Sequence, residues 1–394
     1  KKTEIGEIPK EWRVNKLSHD YNVIMGQSPS SKFYNKNGEG MFFIQGNKEF
    51  QEIYVKPNIF TSKCYKIAPK NSVLITVRAP VGNVNLTQKE ICIGRGVAAI
   101  THKYNDIIRN RFCYYLLRGL KDYIMSFGEG GTTYESITKA DLENLLIPYS
   151  SPEEQSRIAI VLSWFDNLIE NKKRQNEILE KTAMAIFKSW FVDFEPFKDG
   201  EFVYNEDLDK EIPKGWEVAS ILNISEEVVS GEWGKDNKDN KNNFKFYCVK
   251  GADIPTLSKY DFIPLSMRYS TYDKFKKRIL KEGDIIIEIS GGSINQSTGR
   301  TLLVTSKLLE SYNLPMSTTN FCRIIKISNY FLSLYVYLWL KYWYITDKFY
   351  EYEEGTTSIK NLQFKDFFNH NLIPIPPQPI LEKFHSLVEP LFQK

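Results

Sequence analysis

Ile8-Pro9-Lys10-Glu11-Trp12-Arg13-Val14 returns later in the chain as Ile212-Pro213-Lys214-Gly215-Trp216-Glu217-Val218. The second string begins 204 positions after the first, far beyond any solenoid period, so the repeated unit is a whole domain. Other landmarks follow outward in the same order. Phe43-Ile44-Gln45-Gly46-Asn47 is answered by Phe246-Tyr247-Cys248-Val249-Lys250-Gly251, and Val73-Leu74-Ile75 with Arg78-Ala79-Pro80-Val81-Gly82 by Ile285-Ile286-Ile287 with Ser290-Gly291-Gly292-Ser293. Gly131-Thr132-Thr133 is matched by Gly355-Thr356-Thr357, and Leu146-Ile147-Pro148 by Leu372-Ile373-Pro374. Between landmarks the residues differ almost completely. A retained scaffold carrying two divergent surfaces points to a duplicated reader of a two-part target.

The 394 residues suffice for two domains with their own cores plus connecting structure. Hydrophobic and charged fractions of 42% and 25% are those of a globular protein and argue against disorder outside short loops. The net charge of +4 permits a polyanionic partner without demanding one. Cys64, Cys92, Cys113, Cys248 and Cys322 are odd in number and form no CxxC pair, so they read as reduced core residues rather than disulfides or zinc ligands. The first residues lack an apolar signal core and the longest apolar stretch, Tyr330 to Leu340, is too short to span a bilayer; the expected location is the cytoplasm, with no membrane role.

Residues 1–150 read as an α+β domain, with strands at Val73–Val77 and Val97–Ile100 and an amphipathic helix over Asn110–Met125. Ser151-Pro152-Glu153-Glu154 is a helix start: a capping hydroxyl, proline at the first helical position and two acids in the first turn. No proline or glycine follows until Pro196, which predicts roughly 40 helical residues, about 60 Å at 1.5 Å per residue. Apolar residues at Ile158, Val161, Leu162, Phe165, Leu168, Ile169, Leu179, Ala183, Ile186 and Trp190 follow a heptad-like pattern, interrupted at Glu170 to Asn176. Residues 151–211 therefore form a helical spacer and linker. Residues 212–375 form the second domain, and residues 376–394 start a second helix with a stripe at Leu381, Phe384, Leu387, Val388 and Leu391. This last helix is short beside the first, as expected of a trimmed spacer arm.

Catalytic patterns are missing. His19, His102, His370 and His385 are dispersed, without HxxxH or HExxH spacing. Gly94-Arg95-Gly96 and Gly128-Glu129-Gly130-Gly131 continue neither as GK[ST] nor as GxGxxG and read as turn glycines. Asp284 and Glu288 flank a strand without the lysine of a nuclease site. What the loops offer is polar and basic. Gln27, Ser28, Ser30, Ser31 and Lys32 follow the first strand of one repeat, and Lys235 lies in the corresponding loop of the other. Lys48, Arg78, Arg95, Thr132, Thr133 and Tyr134 complete the first candidate surface; Lys250, Ser290, Ser293, Asn295, Gln296, Arg300, Thr356, Thr357 and Ser358 complete the second. Arginine pairs bidentately with guanine, amides and hydroxyls pair with base edges, and lysine neutralises phosphate. Lys274, Lys276, Lys277, Arg278 and Lys281 form a candidate patch for the phosphate backbone.

The repeat, the long helix and the string Ala185-Ile186-Phe187-Lys188-Ser189-Trp190-Phe191-Val192-Asp193-Phe194-Glu195-Pro196 together resemble type I restriction-modification specificity subunits, and the resemblance covers essentially the whole chain. It implies two target-recognition domains of mixed sheet and helix, joined by long helices that pair as an antiparallel coiled-coil spacer. It further implies no catalysis and no cofactor in this chain. The implied partners are double-stranded DNA, DNA adenine methyltransferase (modification) subunits that carry S-adenosylmethionine, and through them restriction and translocase subunits. Two rivals remain: a two-domain protein-interaction scaffold with coiled-coil oligomerisation, and an enzyme with a fused reader, for whose catalytic domain the length leaves no room. Salt-dependent binding to duplex DNA separates the first from the DNA reader.

Overall fold

The computed structural model describes residues 1–126, 136–259, 261–292, 296–355 and 360–392. The chain divides into two compact units, Lys1–Lys172 and Lys173–Lys394.

In the first unit the described strands used below are β1 (Arg13–Lys16), β2 (Tyr21–Met25), β3 (Met41–Ile44), β4 (Ile59–Thr61), β5 (Val73–Thr76), β6 (Val84–Leu86), β7 (Ile91–Ile93), β8 (Val97–His102) and β9 (Leu146–Tyr149). The antiparallel order β6-β5-β8-β2 makes a four-stranded sheet whose central strands are buried on both faces, as their unbroken apolar runs require. Beside it β3 pairs antiparallel with β4 and parallel with β7. Helix α1 (Ile107–Gly119) packs on the first sheet. It starts three residues before the position the apolar pattern suggests because the Asp106 carboxylate accepts from the Ile108 and Arg109 amides. Past Leu120 a separate short helix, α2 (Lys121–Ser126), replaces the single helix expected to Met125.

The second unit repeats this plan. Its strands are β10 (Glu217–Ala219), β11 (Glu227–Ser230), β12 (Phe244–Val249), β13 (Ser266–Ser270), β14 (Ile285–Glu288), β15 (Thr301–Leu303), β16 (Met316–Thr318), β17 (Cys322–Lys326) and β18 (Ile373–Ile375). The order β15-β14-β17-β11 reproduces β6-β5-β8-β2, and β12 pairs antiparallel with β13 and parallel with β16 as β3 does with β4 and β7. The outermost landmarks of each repeat meet. Val14 lies opposite Pro148 in the β1–β9 ladder, and Val218 opposite Pro374 in the β10–β18 ladder, so each domain is closed by pairing its first string with its last.

Helix α3 (Pro152–Phe187), of 36 residues, follows β9 in sequence and contains the boundary between the units. Ser151 Oγ accepts from the Glu154 amide at 3.3 Å, the cap expected from sequence. The helix ends in a π-helical turn over Lys188–Val192 and a left-handed residue at Phe194. Ala183, Phe187 and Phe191 are fully buried in the core of the second unit with Tyr335 and Trp339 of α4 (Tyr330–Ile345) and Phe384 of α5 (Gln378–Phe392). Ring centroids lie 4.8 Å apart for Phe191–Tyr335 and 4.7 Å for Phe191–Phe384. Trp216 of the second IPxxW string joins this cluster, edge-on to Phe194 at 5.4 Å. The aromatic string that resembles the family's central region is thus the foundation of the second domain. No helix among the described residues is long and apolar enough to cross a membrane.

One expectation is corrected. Cys64 and Cys92, read as reduced core residues, are joined as a disulfide with Cα atoms 5.7 Å apart. They are 28 residues apart in sequence, and only the pairing of β7 with its neighbours brings them together, which spacing alone does not reveal. Cys113, Cys248 and Cys322 are free and buried.

Candidate nucleic-acid interface

Both units build their loops on one backbone frame. In the first, the Gly26 amide donates to Val97 O and the Gln27 amide to Ile93 O, turning the chain after β2 across the ends of β7 and β8. In the second, the Gly231 amide donates to Cys322 O and the Glu232 amide to Thr318 O in the same relation to β16 and β17. The Gly94 amide reaches Ile44 O at 2.7 Å as the Thr319 amide reaches Val249 O at 3.1 Å, and the Val77 amide reaches Gly96 O as the Ile289 amide reaches Phe321 O. Apart from the glycines its close approaches require, the frame needs no particular side chains, which is why the intervening sequence can diverge.

On this frame the first unit forms an open polar cleft of about 220 Å³ lined by Ser28, Gln45, Gly46, Asn47, Arg78, Ala79, Arg95 and Gly96. Three expected residues, Ser28, Arg78 and Arg95, converge there. Ser28 Oγ accepts from the Arg95 amide at 3.1 Å and locks one loop to the other. Arg78 and Arg95 are exposed, and among the described residues neither guanidinium has a hydrogen-bond or ion-pair partner. Gln45 and Asn47 were not singled out as contacts. Gln45 Nε2 donates to Tyr34 Oη at 2.8 Å, and Asn47 Oδ1 accepts from Asn83 Nδ2 at 2.7 Å. Their signal was present, since both stand in the Phe43–Asn47 landmark, but that string read as framework. A second polar depression of about 440 Å³, lined by residues such as Gln51, Asn83, Arg118 and Lys121, adjoins it through Asn47. Gln27, Ser30, Ser31, Lys32 and Lys48 are exposed but line neither depression, with Lys32 Nζ 5.2 Å from the Phe33 ring. Thr132, Thr133 and Tyr134 lie outside the described residues.

The second unit fills the same frame differently. Trp233 follows Gly231-Glu232 and is 39% exposed. The buried Arg268 guanidinium stacks 4.0 Å from its ring centroid, donates to Trp233 O at 3.0 Å and Gly234 O at 3.3 Å, and pairs with Asp236. Burial lowers the Arg268 pKa, without discharging a guanidinium. Lys250 is half-buried with Nζ 5.6 Å from the same ring, and Lys235 is exposed and paired with Asp239 at 2.7 Å. Ser290 is half-buried opposite Asn361, and exposed Gln296 donates to Tyr344 Oη at 3.4 Å. Arg300 has other employment than the base contact expected of it. It forms a two-pronged ion pair with buried Glu288, Nε to Oε2 at 2.7 Å, and that hydrogen bonding raises its pKa. Ser293, Asn295, Thr356, Thr357 and Ser358 lie outside the described residues. Of the basic run, Lys274, Lys276, Lys277 and Lys281 are exposed, whereas Arg278 turns inward and its Nε donates to Ser230 O at 3.0 Å. Among the described residues no three His, Cys, Asp or Glu side chains cluster as metal ligands; Asp284 instead accepts from the Lys281 amide at 2.8 Å and faces Lys326.

Comparison with known proteins agrees with this geometry. The family described as type I restriction modification DNA specificity domain matches residues 9–181. A type I restriction enzyme MjaIX specificity subunit from Methanocaldococcus jannaschii is 37% identical over 100% of this chain and 90% of its own length. The MjaVIII specificity subunit of the same organism is 26% identical over 73% of this chain and 66% of its own length. A crystal structure of a type I restriction-modification S subunit from M. genitalium shares the fold with a TM-score of 0.56, covering 99% of this chain and 92% of that one at 19% identity. The chain therefore belongs to the type I restriction-modification specificity subunits, as a non-catalytic DNA-specificity component.

Proposed function

We propose that this chain reads a bipartite, asymmetric DNA site, one domain per half-site, and presents that DNA in the cytoplasm to docked modification subunits. The supporting observation is the shared backbone frame with unlike side chains at its open positions. Two domains of one topology offer loops to a duplex in the same manner, while the different groups on those loops select different bases. The methyl donor, S-adenosylmethionine, belongs on this reading to the modification subunit, and restriction subunits join through it.

The long helix α3 supplies the remaining element. Val161, Trp164, Phe165, Leu168 and Ile169 form a helical stripe whose members are 44% to 65% exposed, an apolar seam of the kind that pairs with another helix. We assign this seam to the spacer that holds the half-sites a fixed distance apart and to assembly with partner subunits.

Adenine-methylation mapping on random-sequence DNA, with the chain and its cognate modification subunit, tests the proposal. The expected result is two unlike short motifs separated by an unread gap of constant length. A single continuous motif, or methylation indifferent to the presence of this chain, would refute it.

A further inference from the structure

The equivalent hydrogen bonds allow the two reading surfaces to be paired position by position. Gly26 matches Gly231, so Ser28 matches Trp233. Ile44 matches Val249 through their bonds from Gly94 and Thr319, so Gln45 matches Lys250 and Asn47 matches Ala252. Val77 matches Ile289, since the Ile137 amide donates to the one as the Leu362 amide does to the other, so Arg78 matches Ser290. Gly96 matches Phe321, so Arg95 matches Asn320. Among the described residues, the cleft of the first unit has two guanidinium groups without a hydrogen-bond or ion-pair partner, and the matching positions of the second carry no arginine.

This difference extends to the whole second domain. Residues 212–375 contain four arginines, Arg268, Arg278, Arg300 and Arg323. Each is bound to protein: Arg268 to Trp233 O, Arg278 to Ser230 O, Arg300 to Glu288, and Arg323 to Ser230 Oγ at 3.0 Å. Releasing any of them leaves a buried or half-buried acceptor unpaired, at a cost comparable to the gain from a new base contact. Arg78 and Arg95 incur no such loss. A free guanidinium pairs best with guanine O6 and N7, where two parallel N–H donors meet two acceptors.

Resting on the reading of the chain as a two-domain DNA reader, we infer that guanine recognition through N7 and O6 is confined to the half-site of the first domain, where Arg78 and Arg95 perform it. The second domain reads its half-site through the exposed Trp233 ring, Ser290 and the exposed Asn320 amide, while Lys250, with Nζ 5.6 Å from the same ring, serves the phosphate backbone.

The test uses the full chain complexed with its cognate modification subunit and a duplex carrying its mapped site. Exchange of residues 1–150 for those of another specificity subunit identifies which half-site belongs to the first domain. Each guanine is then replaced singly by 7-deazaguanine, which lacks the N7 acceptor, and binding is measured by competition. Replacement in the first half-site is expected to weaken binding by roughly 2- to 13-fold, about half the free energy of one bidentate arginine–guanine pair because O6 remains, and replacement in the second to leave it unchanged. In the Arg78→Ala or Arg95→Ala variant the loss at the matching guanine disappears. A first half-site without guanine, no loss there, or equal losses in both half-sites overturns the inference while the DNA-reading function stands. A complex that fails to prefer its mapped duplex over unrelated DNA overturns both.

Discussion

Gly26 and Gly231 show what the repeated frame demands of single residues. A Cβ on Gly26 would collide with the carbonyl oxygens of Gly94 and Val97, and one on Gly231 with those of Thr318 and Thr319. Backbone cannot yield as a side-chain end can, so Gly26→Ala or Gly231→Ala is expected to cost about 1–3 kcal/mol, read from the urea midpoint of the affected domain. The Glu288–Arg300 pair gives a second expectation. Glu288 is 2% exposed, and its removal leaves a largely buried guanidinium uncompensated. Glu288→Ala is expected to destabilise the protein by about 3 kcal/mol, whereas replacing both partners by methionine recovers most of the loss. A double variant no more stable than Glu288→Ala would show that the pair is not the source of the effect.

At the scale of elements, α3 is the most legible part of the sequence. Its N-terminus followed from Ser151-Pro152-Glu153-Glu154 and its end from the proline that follows the aromatic string, because capping and proline act locally. Of its heptad-like pattern only Ala183 is buried, in the second unit beside Phe187, while Ala159, next to the pattern, is buried in the first. The middle is open. Phe165→Glu with Leu168→Glu is therefore expected to leave the thermal midpoint of the isolated chain nearly unchanged, within about 0.5 kcal/mol of stability, since both side chains already face solvent. The same pair is expected to abolish co-sedimentation with the cognate modification subunit. Loss of folding in the isolated chain would mean that the stripe is covered internally. Helix α4 offers the converse lesson. Its run from Tyr330 to Leu340 showed apolarity without a stripe, and it is buried nearly all round beneath α3 and α5.

At the scale of the molecule, matched sheets in the two units and a single connecting helix make the target site modular. Exchange of residues 1–150 for those of another specificity subunit is expected to alter one half-site motif and leave the other intact, as methylation mapping would show; simultaneous change in both would rule out independent reading. A heptad inserted between Glu170 and Asn176 keeps the apolar seam on one face while adding about 10 Å of helix. With the opposing spacer helix lengthened equally, the gap between the motifs is expected to grow by roughly 3 base pairs at 3.4 Å each. An insertion of five residues rotates the seam by about 140°, at about 100° per residue, away from its partner and is expected to abolish methylation.

Sequence alone determined the duplication, the domain order, the α+β class and the long helix, together with the lack of recognisable catalytic patterns. Those features depend on local chemistry or on strings such as Ile212–Val218 that the backbone frame repeats, and both survive without knowledge of distant contacts. Tertiary structure decided which polar groups are free to act. Arg95 and Ser28 are 67 residues apart yet joined by a hydrogen bond, Arg300 and Glu288 satisfy each other, and Cys64 meets Cys92 across a sheet. Two arginines of equal promise on paper, Arg78 and Arg300, thus part company. Arg78 ends exposed at a cleft and Arg300 inside an ion pair, because the availability of a charged side chain is set by the neighbours that long-range strand pairing brings to it.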